Sequence, residues 1–147
     1  MIVHYEDDRH VLVSNGPVLV SINHVAPAVL GVRRVAVAIG EIAVKHERVT
    51  VVLVPAARRP SLSLEVTQEI TGSWKRLAPK IAAGVIWVRR EGFIGSVVRS
   101  LIAGILLMRP RDDTPISVVT SLEEVMEAVA QRPAPADYRS WLEDLEY

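Results

Sequence analysis

Read from its amino terminus, the chain first alternates apolar and polar positions with a period of two. Ile2 to Tyr5, His10 to Ser14 and Pro17 to Ile22 are short runs separated by Glu6-Asp7-Asp8-Arg9 and by Asn15-Gly16. Side chains of a strand point alternately to its two faces, so these runs predict three strands. Asn-Gly between two of them predicts a hairpin over 10–22 with a type I′ turn, because both residues tolerate positive φ. The period then lengthens. From Pro27 to about His46, Val35, Ala38, Ile39, Ile42 and Ala43 recur at helical spacing, and Pro27 suits a first turn. The alternation Val35-Ala36-Val37-Ala38-Ile39 supports a competing strand reading of the same residues.

Val49 to Val54 is a β-branched run interrupted only by Leu53, the pattern of a central strand covered on both faces. Helical spacing returns at Val66, Ile70, Trp74 and Leu77, extending at most to Ile81, with Pro79 set to kink or end that helix. Gly84 to Val88 predicts another buried strand, Phe93 to Met108 a helix, and Ile116 to Val119 the last strand. Ser121 to Gln131 predicts a helix in which Ser121 and Glu124 form a capping box. Pro133-Ala134-Pro135-Ala136 cannot continue it, so a domain over 1–131 is followed by a linker and tail, 132–147. In the tail, Tyr138, Trp141, Leu142 and Leu145 share one side of a short amphipathic helix. The expected core includes Val51, Leu53, Ile70, Val85, Trp87, Leu101 and Val118.

The resulting order, βββαβαβαβα, implies an α/β fold with a mixed, largely parallel central sheet after an N-terminal hairpin. That order, the chain length and the segments Val49–Val54, Gly84–Val88 and Pro115–Glu124 resemble a STAS domain, the anti-sigma-factor-antagonist family, over roughly residues 1–131. The resemblance implies a regulatory, protein-binding role. Regulatory members carry an Asp-Ser-Ser-Gly-like phosphorylation turn after the second central strand. The matching stretch here, Pro55 to Ser63, has serines but neither that aspartate nor the glycine, which leaves Ser61 or Ser63 as the place to look for phosphorylation.

Composition narrows the chemistry. The 17 basic and 17 acidic residues cancel, so no overall field draws the molecule to nucleic acid or an anionic membrane. Cysteine is absent, which removes disulfides, thiolate nucleophiles and the usual zinc sites and suits a cytoplasmic location. The N-terminus lacks a basic segment followed by an apolar run and does not read as a signal peptide. Phe93–Met108, about 24 Å long as a helix, is too short to insert across a bilayer. His4, His10, His24 and His46 show no metal-ligand spacing; His4 and His10 read as surface or edge residues, and Asp7-Asp8 as a turn bonding its own backbone. No Gly-x-Ser-x-Gly occurs and no histidine stands near a candidate nucleophilic serine in sequence, although distant histidines could converge in space. No cofactor and no enzymatic activity are expected.

The unusual polar feature is a pair of arginine doublets, Arg58-Arg59 and Arg89-Arg90, each just after an expected parallel strand. With Ser61 and Ser63 they should gather along the carboxyl edge of the sheet, where open α/β folds bind ligands. They would form an anion site for a small ligand such as a nucleotide, or a partner-facing patch; as an alternative, they end greasy strands with solvated charge. The leading expectation is a non-catalytic interaction module that binds an unidentified protein and self-associates as a homodimer. Leu106 and Leu107 on the 93–108 helix, or Tyr138, Trp141 and Leu145 in the tail, would form the interface. The tail could also fold onto its own chain.

Overall fold

Six strands form one sheet in the computed structural model, which describes residues 1–56, 62–88, 114–130 and 138–145. They are β1 (Ile2–Glu6), β2 (His10–Asn15), β3 (Val18–Asn23), β4 (Val49–Pro55), β5 (Ile81–Trp87) and β6 (Ile116–Val119), lying side by side in chain order. β1, β2 and β3 pair antiparallel, and β3 to β6 pair parallel. Among the described residues, the helices are α1 (Val29–His46), α2 (Leu64–Leu77), α3 (Leu122–Ala130) and α4 (Tyr138–Asp144). The α/β class and the mixed sheet agree with the sequence reading. The expected helix over 93–108, with Leu101, Leu106 and Leu107, lies outside the described residues.

The hairpin forms where Asn-Gly predicts it, but its turn is shifted by one residue. Asn15 pairs with Val18, so Gly16-Pro17 is the two-residue loop. Gly16 takes φ 55°, whereas the proline ring holds φ near about −65°. Positive φ at the first central position alone is the sense of a type II′ turn, and the expected type I′ is excluded because it needs positive φ at both.

α1 and α2 connect sequential parallel strands, and right-handed crossovers place both on the same face of the sheet. That face buries Leu12, Leu19, Val49, Val51 and Ile81 against Ala38, Ile39, Ile42 and Leu77. Trp74 of α2 lies so close over β5 that a Cβ at Gly84 would come within 3.3 Å of its ring, which explains a glycine inside a buried strand. Pro79 ends α2 in a single 3-10 turn, Ala78–Lys80, and Ile81 belongs to β5. The opposite face buries Val13, Val18, Val20, Ile22, Val52, Val54, Val85, Trp87 and Val119 against α3 and α4. Ser121 caps α3, its Oγ accepting from the Glu124 amide at 3.2 Å.

Three expected core positions are less buried than the pattern suggested. Val118 is 40% exposed; among the described strands β6 is at the end of the sheet, and Val118 is on the side where α1 and α2 cover the inner strands. Leu53 and Ile70 are half-buried.

The tail segment joins the core. Tyr138 is 1% and Leu142 0% exposed, and both pack with the β2–β3 and α3 side chains of their own chain. The Tyr138 hydroxyl donates to the Asn15 carbonyl at 2.8 Å, tying α4 to the hairpin turn. Trp141 tilts against Tyr138 with ring centroids 5.8 Å apart and donates from Nε1 to Met1 Sδ at 2.9 Å. Tyr138, expected at an interface between subunits, is thus a core residue; Trp141 and Leu145 are half-buried against the same cluster. Leu142→Ala should lower stability by about 2–5 kcal/mol through lost burial and the cavity left behind. Tyr138→Phe, which deletes only the hydroxyl, should cost about 0.5–1.5 kcal/mol. Urea denaturation of both variants checks the docking of α4, and a Leu142→Ala protein as stable as wild type would contradict it.

Candidate functional site

Strand pairing gathers polar groups under α1. β1 pairs Val3 with Val13 and Tyr5 with Leu12, so His4 is an extra residue in a β-bulge. The bulge brings both His4 and Tyr5 onto the α1 side. On that side β2 presents His10, Leu12 and Ser14, and β3 presents Leu19 and Ser21. Two histidine–serine contacts follow: His10 Nε2 to Ser21 Oγ and His4 Nε2 to Ser14 Oγ, each 2.8 Å. His10 is 5%, Ser14 2% and Ser21 1% exposed. The surface reading of His10 is therefore corrected. Its place at the start of a strand whose near face is roofed by α1 buries it.

The turn before β2 is built by Asp7, as its type and position predicted. Its carboxylate accepts from the amides of Arg9 and His10, both at 2.8 Å, and from the Tyr5 hydroxyl at 2.6 Å. These donors, the Tyr5 hydroxyl first, hold the Asp7 carboxyl at about 2. The same bond raises the Tyr5 phenol, which must ionise beside a negative charge. The Arg34 guanidinium lies over the Tyr5 ring, 3.6 Å from its centroid, and the Tyr5 ring lies tilted 5.9 Å from that of His10. Burial lowers the His10 pKa, and the Arg34 charge and His24 add to the effect while Asp7 opposes it. Neutral His10 leaves Nδ1 buried with no partner among the described residues. An added Cβ at Gly31, in the first turn of α1, would come within 3.7 Å of that nitrogen.

His4 invites comparison with a nucleophile–base–carboxylate relay, since its Nδ1 stands 3.7 Å from Glu41 Oε2 while Nε2 meets Ser14. The distance to Glu41 exceeds a hydrogen bond, and Ser14 is 2% exposed, with His4 on its hydroxyl. Among the described residues, no group of three or more His, Asp or Glu could hold a metal ion. None of the described helices is long and apolar enough to cross a membrane.

The carboxyl ends of β3 to β6 share one edge. Asn23 and Pro55 are register partners there, the Ala56 amide donates to the Asn23 carbonyl at 2.8 Å, and the Val88 amide to the Val119 carbonyl at 2.9 Å. α1 starts at this edge without a side-chain cap and with no acidic residue in its first turn. Ser63 is there too, as the N-cap of α2; its Oγ accepts from the Val66 amide at 3.1 Å, a structural role for a hydroxyl expected to bind ligand or phosphate. Arg58, Arg59, Ser61, Arg89 and Arg90 lie outside the described residues. No family model, curated protein or solved structure matches the chain.

Shifted titrations give stability a pH profile with three windows: one of His10, an acid one of Asp7 joined by the lowered Glu123, and an alkaline one of Tyr138 joined by the raised Tyr5. A depressed His10 pKa means that the unfolded chain takes up the proton first, so stability falls as pH drops below the ordinary value of 6.5. Asp7, depressed from 3.8 to about 2, gives stability that is present above 3.8 and lost as pH falls towards 2. Burial pushes the Tyr138 hydroxyl from 10.0 up to about 12, so its contribution is lost as pH rises across that interval. Urea midpoints against pH for wild type and His10→Gln test the assignment. The variant should lose the window below pH 6.5 and retain the other two; an unchanged profile would exclude His10 as the source.

Proposed function

We propose that this chain is a non-catalytic regulatory or protein-interaction module of STAS-like type, working in the cytoplasm by binding another protein. The observation that carries the reading is the outer face of α1. Leu30, Val37 and Val44 are 58%, 61% and 86% exposed, on a helix whose other side already supplies Ala38, Ile39 and Ile42 to the core. A surface helix normally turns polar residues to water, and an apolar row on that side is a mark of an interaction surface. Further support comes from the polar groups, which are engaged in holding the fold: His10 on Ser21, His4 on Ser14, and Asp7 on its own turn. The strand–helix order through β5, and β6 followed directly by α3, support the STAS-like part of the reading.

A second reading, a small anionic ligand held at the carboxyl edge, has its own support. The uncapped first turn of α1 offers free amides there, with the partnerless Nδ1 of His10 beside Gly31. The doublets Arg58-Arg59 and Arg89-Arg90 follow β4 and β5 in sequence.

Affinity capture from native extract with wild-type and Val37→Glu baits tests the first reading. A stoichiometric protein held by wild type and lost by the variant is expected, and equal capture by both would sink the role of α1. Thermal shift against nucleotides and inorganic phosphate tests the second, since ligand at about a hundred times its Kd adds about 2.7 kcal/mol. An unchanged melting temperature would remove it.

A further inference from the structure

We propose that the outer face of α1 is a self-association surface, on which a second copy of this chain lays its own α1 in antiparallel orientation. The proposal rests on the interaction-module reading and names the partner of that surface. Leu30, Val37 and Val44 stand seven residues apart, so they follow one nearly straight line along the helix, drifting by only about 20° per step. The neighbouring helix α2 lacks such a row; apart from Leu64 at its first position, its exposed side chains are Glu65, Gln68, Lys75 and Arg76. Water is therefore not the solvent for which the α1 face is composed.

Gly40 is a second observation on the same face. A glycine in a helix interior costs stability relative to alanine, yet a Cβ at Gly40 would meet nothing within 4 Å. Among the described residues no contact calls for the missing side chain. On the surface between Val37 and Val44, it lets a second helix approach closely.

Charge selects the partner and its direction. Arg34 and Glu41 lie along one flank of the row, also seven apart and on either side of Val37. Arg34 lies over the Tyr5 ring, 3.6 Å from its centroid, and the Glu41 side chain, 65% exposed, is open to a partner. A twofold axis near Val37 sets Leu30 opposite Val44 of the second copy, and Arg34 opposite its Glu41, twice over. A parallel pair in register would instead bring Arg33 and Arg34 of both copies to the same level. A patch of this kind, apolar along its centre and self-complementary in charge, fits another copy of itself. One helix pair buries less than a standard interface of about 1,600 Å², so association in the micromolar range is expected.

Sedimentation of the full chain across micromolar to sub-millimolar concentration provides the test. Wild type should show a concentration-dependent monomer–dimer equilibrium. Val37→Glu should weaken it by about tenfold or more, as should Arg34→Glu or Glu41→Arg alone, while the double exchange should recover most of the affinity. Circular dichroism of each variant checks that α1 remains folded. A strictly monomeric wild type, or a dimer indifferent to Val37→Glu, overturns the proposal, and a double exchange that recovers nothing overturns the antiparallel geometry. If wild type is monomeric while capture of a different protein is abolished by Val37→Glu, the second copy is refuted and the interaction module survives; if capture is also indifferent, both fall.

Discussion

Val18, Leu19, Val20, Val52 and Val54 keep at most 1% of their surface in contact with solvent, so neither face of the β3–β4 pair is left to water. Residues that alternate between two faces can all be buried only if both faces are roofed. Among the described residues, the right-handed connections between sequential parallel strands put α1 and α2 on the same face. The second roof has to come from elsewhere in the chain, and α3 and α4 supply it with Val125, Val129, Tyr138 and Leu142. A segment that reads as a tail in the linear pattern is in this sense a structural requirement of the central strands.

Local chemistry was legible where a residue type has one strong preference. The β-branched run at Val49–Val54, the helix stop at Pro79, the Ser121 cap and the one-sided spacing of Tyr138, Leu142 and Leu145 each state their structure directly. The turn type was misread because Asn-Gly outweighed the following Pro17, whose ring shifts the loop by one position. Register-dependent features were invisible. His10 meets Ser21 and His4 meets Ser14 only through cross-strand pairing and a bulge, neither of which has a marker in the sequence. The outer row of α1 was hidden for a different reason: the helix is apolar around most of its circumference, and a periodicity test reports the strongest stripe, here Val35, Ala38, Ile39 and Ile42. The expected arginine site falls largely outside the described residues, and Ser63 alone of its members can be placed.

α1 emerges as the element on which separate demands meet. Its inner side completes the core, Arg33 reaches Glu69 of α2 at 3.0 Å, Arg34 covers Tyr5, and its first turn lies against His10. A change in its position would disturb the β1–β2 polar cluster and the α1–α2 pairing together. The buried contact between His10 and Ser21 also restricts how α1 can sit, because separating the two without admitting water would leave polar atoms unsatisfied in an apolar setting.

The bond from the Tyr138 hydroxyl to the Asn15 carbonyl spans nearly the whole chain. During synthesis on the ribosome the hairpin emerges well over a hundred residues before α4, so Val13, Val18 and Val20 must wait for the cover that Tyr138 and Leu142 provide while the intervening chain is translated. The α1–α2 side can close early, from neighbours in sequence, but the other side closes late and over a long loop, which slows folding. In the interval the nascent protein presents a wet β-branched sheet surface, the kind of surface on which chaperones act and aggregates start. The arrival of α4 therefore sets the moment at which this sheet face stops being sticky.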